Sequence, residues 1–152
     1  MMTMQQENPG RIDGLTRANA IQMRQLISMV AEEAGVDVRS IYGPDKDMYA
    51  VAFRRAMWWC LREGYGMTYV NIAKLFTSSK GGAFNHTSVL AGVAKVLEER
   101  QLVFSDQKGS WVTRGTGAAI SDVRLREALQ IVASVWNSLN PHNQIHSWTS
   151  TL

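Results

Sequence analysis

Apolar positions recur with a helical period over five stretches of the chain, separated by turn-forming residues. In residues 18–34, Ile21, Ile27, Val30, Ala31 and Ala34 form one stripe, and Gly35 supplies a C-terminal stop. Val36, Val38 and Ile41 mark a short apolar link, in which Asp37 can cap a single turn to Tyr42 before Gly43-Pro44 breaks the chain. A second helix is predicted from the N-cap Asp47 to about Glu63, ended by Gly64 and Gly66. It carries Val51, Ala52, Ala56, Met57, Trp59, Cys60 and Leu61, which is too apolar for a surface helix and predicts the central helix of the core. Thr68 caps a short third helix over 69–76, and the loop 77–84, with Lys80 and Gly81-Gly82, reads as flexible. Asn85 caps a fourth helix from His86 to about Arg100, with Val89, Leu90, Val93, Val96 and Leu97 on its inner side. Residues 102–112 fit a hairpin turning at Asp106-Gln107-Lys108-Gly109. Ser121 caps a last helix to about Leu139, with Leu125, Ala128, Val132, Val135 and Leu139 in register and Asn140-Pro141 as its stop.

The pattern predicts a mainly α-helical bundle with a small hairpin and an extra C-terminal helix. A flexible N-terminal tail is expected over 1–17, a helical domain over 18–101, and an extension over 102–152 that ends in a polar tail. With 152 residues and 45% hydrophobic content, the chain suits one globular domain with an appendage. The longest apolar run, 56–61, is too short to cross a membrane, and the polar start lacks the centre of a signal peptide. The single cysteine, Cys60, sits between Trp59 and Leu61 and reads as a small core residue; it excludes an internal disulfide. Cytoplasmic residence, in a bacterial cell or a phage-infected host, is the expectation.

Charge becomes informative once it is placed along the chain. The net charge is only +3, but residues 50–96 hold six Lys or Arg against Glu63 alone, whereas residues 1–49 hold seven acidic residues against five basic ones. The positive charge gathers around the fourth helix, as a phosphate-binding face requires. That helix opens on Asn85-His86-Thr87-Ser88, a first turn crowded with small hydrogen-bonding side chains. A helix that only packs has no use for such a turn. A helix that enters a DNA major groove N-terminus first does, because these groups reach base edges and phosphates while the helix dipole favours an anion.

Two helices joined by a turn after a long apolar helix make a helix-turn-helix pattern. Val51-Ala52-Phe53-Arg54-Arg55-Ala56-Met57, then residues 68–76, then Asn85-His86-Thr87-Ser88-Val89-Leu90 resemble the C-terminal DNA-binding domain of the bacterial replication initiator DnaA, of the Trp-repressor-like class. That family's Ile-Gly-x-x-Phe is matched by Ile72-Ala73-Lys74-Leu75-Phe76, and its Gly-Gly-Arg-Asp-His-Thr-Thr-Val by Gly81-Gly82 and, after Ala83-Phe84, Asn85-His86-Thr87-Ser88-Val89. The likeness runs from about Ile21 to Arg100. It implies a partner, double-stranded DNA, and contacts from Asn85, His86, Thr87 and Ser88. Asn in place of the family's Asp favours bidentate pairing with adenine over acceptance from cytosine, and so a shifted target. The family's basic loop before the core helix is here Asp45-Lys46-Asp47-Met48-Tyr49, which leaves Lys46, Arg54 and Arg55 as phosphate candidates at that edge. Lys74, Lys80 and Lys95 complete the expected phosphate set, Lys80 from a turn longer than the family's.

Plainer readings stand beside these. His86 can simply pack, Lys95 can face solvent, and Arg54 and Arg55 point about 100° apart, so at most one of them need face DNA. Trp58 and Trp59 read as core rather than as a stacking platform, and Trp111 as packing on the last helix rather than touching a DNA backbone. Nothing points to an enzyme, a metal or a cofactor. His142 and His146 lack a third ligand and follow Pro141, Asp122 and Glu127 do not share a helix face, and no Gly-x-x-x-x-Gly-Lys-Ser/Thr sequence for ATP occurs. The expected role is replication control or transcriptional regulation. The alternative is a structural or protein-interaction module that keeps the fold without binding DNA, supported by Asp45, Asp47 and the long turn. In either case the apolar stripe of the helix over 121–139 is wide enough for a second copy or a protein partner.

Overall fold

The computed structural model describes residues 14–113 and 122–145. Among them the chain is mainly helical. Helix α1 is Arg17–Ala34, α2 Val38–Tyr42, α3 Met48–Tyr65, α4 Tyr69–Ala73, α5 His86–Glu99 and α6 Val123–Leu139; strands β1, Leu102–Ser105, and β2, Ser110–Thr113, lie between α5 and α6. Side-chain caps start the helices. Thr16, Asp37, Asp47, Thr68, Asn85 and Asp122 each accept a backbone N–H of the first turn they precede. The cap of α6 is thus Asp122, one residue later than the sequence suggests. Gly35 ends α1 at φ 71° with its N–H turned back to the Ala31 and Glu32 carbonyls, a conformation that glycine takes without the usual steric cost. The strands pair antiparallel, Leu102 opposite Thr113 and Ser105 opposite Ser110.

Helix α3 is the centre of the core and touches α1, α2, α4, α5 and α6. Its Ala52, Phe53, Ala56, Met57, Trp58, Trp59, Cys60 and Leu61 are buried, and burial pushes the Cys60 thiol up from its ordinary range. Gly64 does not end this helix as the sequence suggests, because α3 continues to Tyr65. Its bare backbone instead accommodates the Trp136 ring of α6, which a Cβ at this position would strike. The stripe on α6 is likewise not open to a partner or a second copy. Leu125, Ala128, Val132 and Val135 are buried in the same cluster as the side chains of α1 and α3, so the C-terminal helix shares one core with the helices before it.

Two apolar stripes differ from expectation. On α1 the buried line is Ala20, Met23, Leu26, Ile27, Val30 and Ala31, and Ile21 is 52% exposed. On α5 it is Val89, Gly92, Val93, Val96 and Glu99, while Leu90 and Leu97 are each 46% exposed. The period is right in both, but its phase is set by residues that a count of apolar side chains passes over. Gly92 seats the Trp58 ring, and Glu99 is buried in an ion pair with Arg126.

The Gly92 seat makes a testable point. A Cβ there would lie 2.6 Å from Cε3 and 2.7 Å from Cζ3 of Trp58. The ring cannot easily retreat, since it packs edge-on against Phe76 and Phe84 at centroid distances of 5.8 and 5.2 Å. Gly92→Ala is therefore expected to lower stability by about 1–3 kcal/mol through overpacking, although alanine is the better helix former by about 1 kcal/mol. A lower urea midpoint at unchanged m checks it; a raised midpoint would mean that α5 and α3 are not held this close.

Candidate nucleic-acid interface

The first turn of α5 stands in solvent: Asn85, His86, Thr87 and Ser88 are all exposed, and the buried line Val89, Gly92, Val93 and Val96 anchors the helix on its other side. Capping settles which polar atoms remain for a partner. Asn85 Oδ1 accepts both the Thr87 backbone N–H and the Thr87 hydroxyl, each at 2.9 Å. A bidentate pairing of Asn85 with adenine needs that oxygen as well as the amide nitrogen. The cap leaves only the Asn85 NH2 as a donor, so the adenine expectation is corrected. Thr87 keeps the lone pairs of its oxygen, His86 its ring nitrogens, and Ser88 its hydroxyl.

The segment leading to α5 is closed on itself, where the sequence suggests a flexible loop. Thr77 donates to the Tyr42 carbonyl at 2.9 Å, Ser78 to Gly82 at 2.7 Å, and Phe84 to both Ala73 and Phe76 at 3.2 Å. The Phe84 ring lies edge-on to Trp58 and beneath the Arg54 guanidinium, 5.5 Å from its centroid. This aromatic was not singled out from the sequence; a lone Phe amid Gly, Ala and Ser is the signal it offered. It pins the loop while Lys80 stays exposed near the tip.

The cations divide into two kinds. Arg54 is only 4% exposed, and its guanidinium serves backbone carbonyls: Nε donates to Ile41 at 3.0 Å, and Nη2 to Ser40 at 2.7 Å and Asp45 at 2.9 Å. A phosphate role for Arg54 is therefore corrected, because its donors hold the turn between α2 and α3. Burial pulls its pKa down, partly opposed by Asp45. Its neighbour Arg55 is half-buried and lines, with Ser88, Lys95 and part of the Arg54 side chain, a groove of about 510 Å³ between α3 and α5. The apolar lining of that groove includes Val51, Trp58, Phe84 and Ala91. Lys74 shares a smaller hollow with Asn85, His86 and Phe84. Lys46 is exposed ahead of α3.

The acidic residues of that edge have structural duties. Asp47 caps α3, and the Asp45 carboxylate accepts the Asp47 N–H at 2.9 Å, which holds it below the ordinary carboxylate range. Trp58 and Trp59 are buried in the core. The Trp111 side chain and His146 lie outside the described residues, and His142 is exposed. Among the described residues, no three His, Cys, Asp or Glu side chains are grouped to hold a metal ion, and no helix is long and apolar enough to cross a membrane.

No protein-family model, no curated protein and no solved structure matches this chain. One face of the molecule combines an exposed polar helix start, a pinned turn carrying Lys80 before it, and a groove beside it lined by Arg55 and Lys95.

Proposed function

We propose that the protein binds double-stranded DNA through a helix-turn-helix made of α4 and α5, and acts without catalysis in replication control or transcriptional regulation. The observation that carries this reading is the N-terminus of α5, where four consecutive exposed polar side chains project from a helix whose opposite side is locked onto Trp58. A rigidly held helix with a polar first turn is what major-groove reading needs, since side chains at that end meet base edges while cations beside it meet phosphates. His86, Thr87, Ser88 and the Asn85 amide are the candidate readers. Lys46, Arg55, Lys74, Lys80 and Lys95 are the candidate phosphate holders, with Arg54 as a brace behind them. The resemblance of residues 21–100 to the DnaA DNA-binding domain supports the same class of ligand.

Salt dependence separates this reading from a protein-interaction role. Each neutralised phosphate contributes a slope of about −0.9 to log K against log salt, so five such cations predict at least a hundredfold loss of duplex affinity between about 50 and 200 mM salt. Fluorescence anisotropy on a labelled duplex measures it. A flat response would turn the reading toward a partner protein held by apolar contact.

A further inference from the structure

The basic face continues beyond the two helices of the proposed reader. Arg124, the second residue of α6, is exposed, and its guanidinium lies over the Tyr49 ring at the start of α3, 5.5 Å from the centroid. Stacking on Tyr49 limits where the charge can go without neutralising it. Among the described residues no carboxylate pairs with Arg124. The side chain joins Lys46, Met48 and Arg55 around a hollow of about 120 Å³. Asp122 also lines that hollow, but its Oδ1 is engaged as the cap of α6, accepting the Leu125 N–H at 3.1 Å.

This hollow is not isolated. Arg55 and Val51 belong both to it and to the larger groove that holds Ser88 and Lys95. Phe84 belongs to that groove and to the hollow that holds Lys74, Asn85 and His86. The three depressions thus share walls, and Lys74, Lys95, Arg55, Lys46 and Arg124 follow one another along them. The seven residue steps from Ser88 to Lys95 span about 10 Å of helix, the axial length of about three phosphates of one DNA strand. A chain of depressions edged by cations suits a phosphodiester backbone better than a compact anion, which would need its donors converging on one point.

We propose that Arg124 contacts DNA phosphate, so that the C-terminal helix extends the phosphate track of the α5 reader onto the flank of the bound site. The inference rests on the DNA-binding reading and deepens it. It concerns a residue outside the stretch that resembles the initiator domain, and it gives the C-terminal segment a task beyond completing the core.

The test first selects a duplex motif for the wild type from a random pool, then compares the wild type with Arg124→Ala and Arg124→Lys on that motif, once with long flanks and once trimmed, across a salt titration. Arg124 is exposed, so each variant is expected to fold, and circular dichroism checks that it does. Loss of one phosphate contact is expected to shrink the wild-type advantage over Arg124→Ala between three- and fourfold as salt rises from about 50 to 200 mM. Arg124→Lys should keep the wild-type slope, the enriched motif should be the same for all three proteins, and trimming the flanks should abolish the difference. Equal slopes for the wild type and Arg124→Ala on the long duplex would overturn this inference and leave the α5 reader standing. Absence of salt-sensitive binding by the wild type would overturn both.

Discussion

Arg54→Ala is expected to cost about 3 kcal/mol of stability, while Arg55→Ala leaves the fold intact and weakens duplex binding. The two residues are neighbours in sequence and opposites in use. The Arg54 guanidinium donates to the carbonyls of Ser40, Ile41 and Asp45 and covers Phe84. Hydrogen bonds from a charged donor are each worth about 1.5–3 kcal/mol, and truncation leaves three acceptors without their partner. Water can reach some of them, and burying the guanidinium itself carries a cost, so the net falls well below the sum. Arg54→Lys should restore little, because one ammonium cannot reproduce a planar fork across three carbonyls. Arg55, half-buried at the groove edge, should instead lower duplex affinity and flatten its salt slope by about one contact. Urea midpoints and binding isotherms for both variants provide the check, and equal losses of stability in the two would contradict the division of labour.

Glu99→Ala should be more damaging still, at about 3–5 kcal/mol. Both side chains of the Glu99–Arg126 pair are buried, with Arg126 Nη2 at 3.2 Å from Glu99 Oε1. The other carboxylate oxygen accepts the Asp122 N–H at 3.2 Å, and Arg126 also donates to the Glu99 carbonyl at 3.3 Å. One carboxylate thus ties the end of α5 to the start of α6. Removing it leaves a charged guanidinium in the interior, which costs far more than the pair contributes over an apolar replacement. Glu99→Leu combined with Arg126→Met should therefore recover most of the loss. Burial pulls the Arg126 pKa below its ordinary value, and Glu99 opposes that pull, so the carboxylate is what makes a charged guanidinium tolerable there. Urea midpoints for Glu99→Ala and for the double variant measure the loss and its recovery; a double variant no more stable than Glu99→Ala would contradict the assignment of the loss to an unpaired buried charge.

These residues also show what could be read without a structure. The periodic stretches, the caps Asp47, Thr68 and Asn85, and the stop at Gly35 are local signals, and the helices begin and end close to where such signals put them. The phase of a helix is less legible, because contact with its neighbours sets it. Nothing local says that Gly92 rather than Leu90 faces Trp58, or that the carboxylate of Glu99 is buried beside Arg126. For the same reason Gly64 reads as a helix end until Trp136 is seen to rest on it. The candidate site divides in the same way. The exposed turn from Asn85 to Ser88 follows from a cap and the polar run after it. Arg54 could be separated from Arg55 only by where the segment from Ser40 to Asp45 folds back. Arg124 joins Lys46 and Arg55 only because α6 packs against α3, at a sequence distance that no motif spans.

Selection from a random duplex pool, run with the wild type and with His86→Ala combined with Thr87→Ala, is the most direct test of α5 as the reader. The wild type should enrich a defined motif, with steep loss of binding between about 50 and 200 mM salt. The double variant, whose changes lie on exposed side chains, should stay folded, lose the motif and keep weak salt-sensitive binding through its remaining cations. A wild type that enriches nothing, or a double variant that enriches the same motif as strongly, would contradict the account.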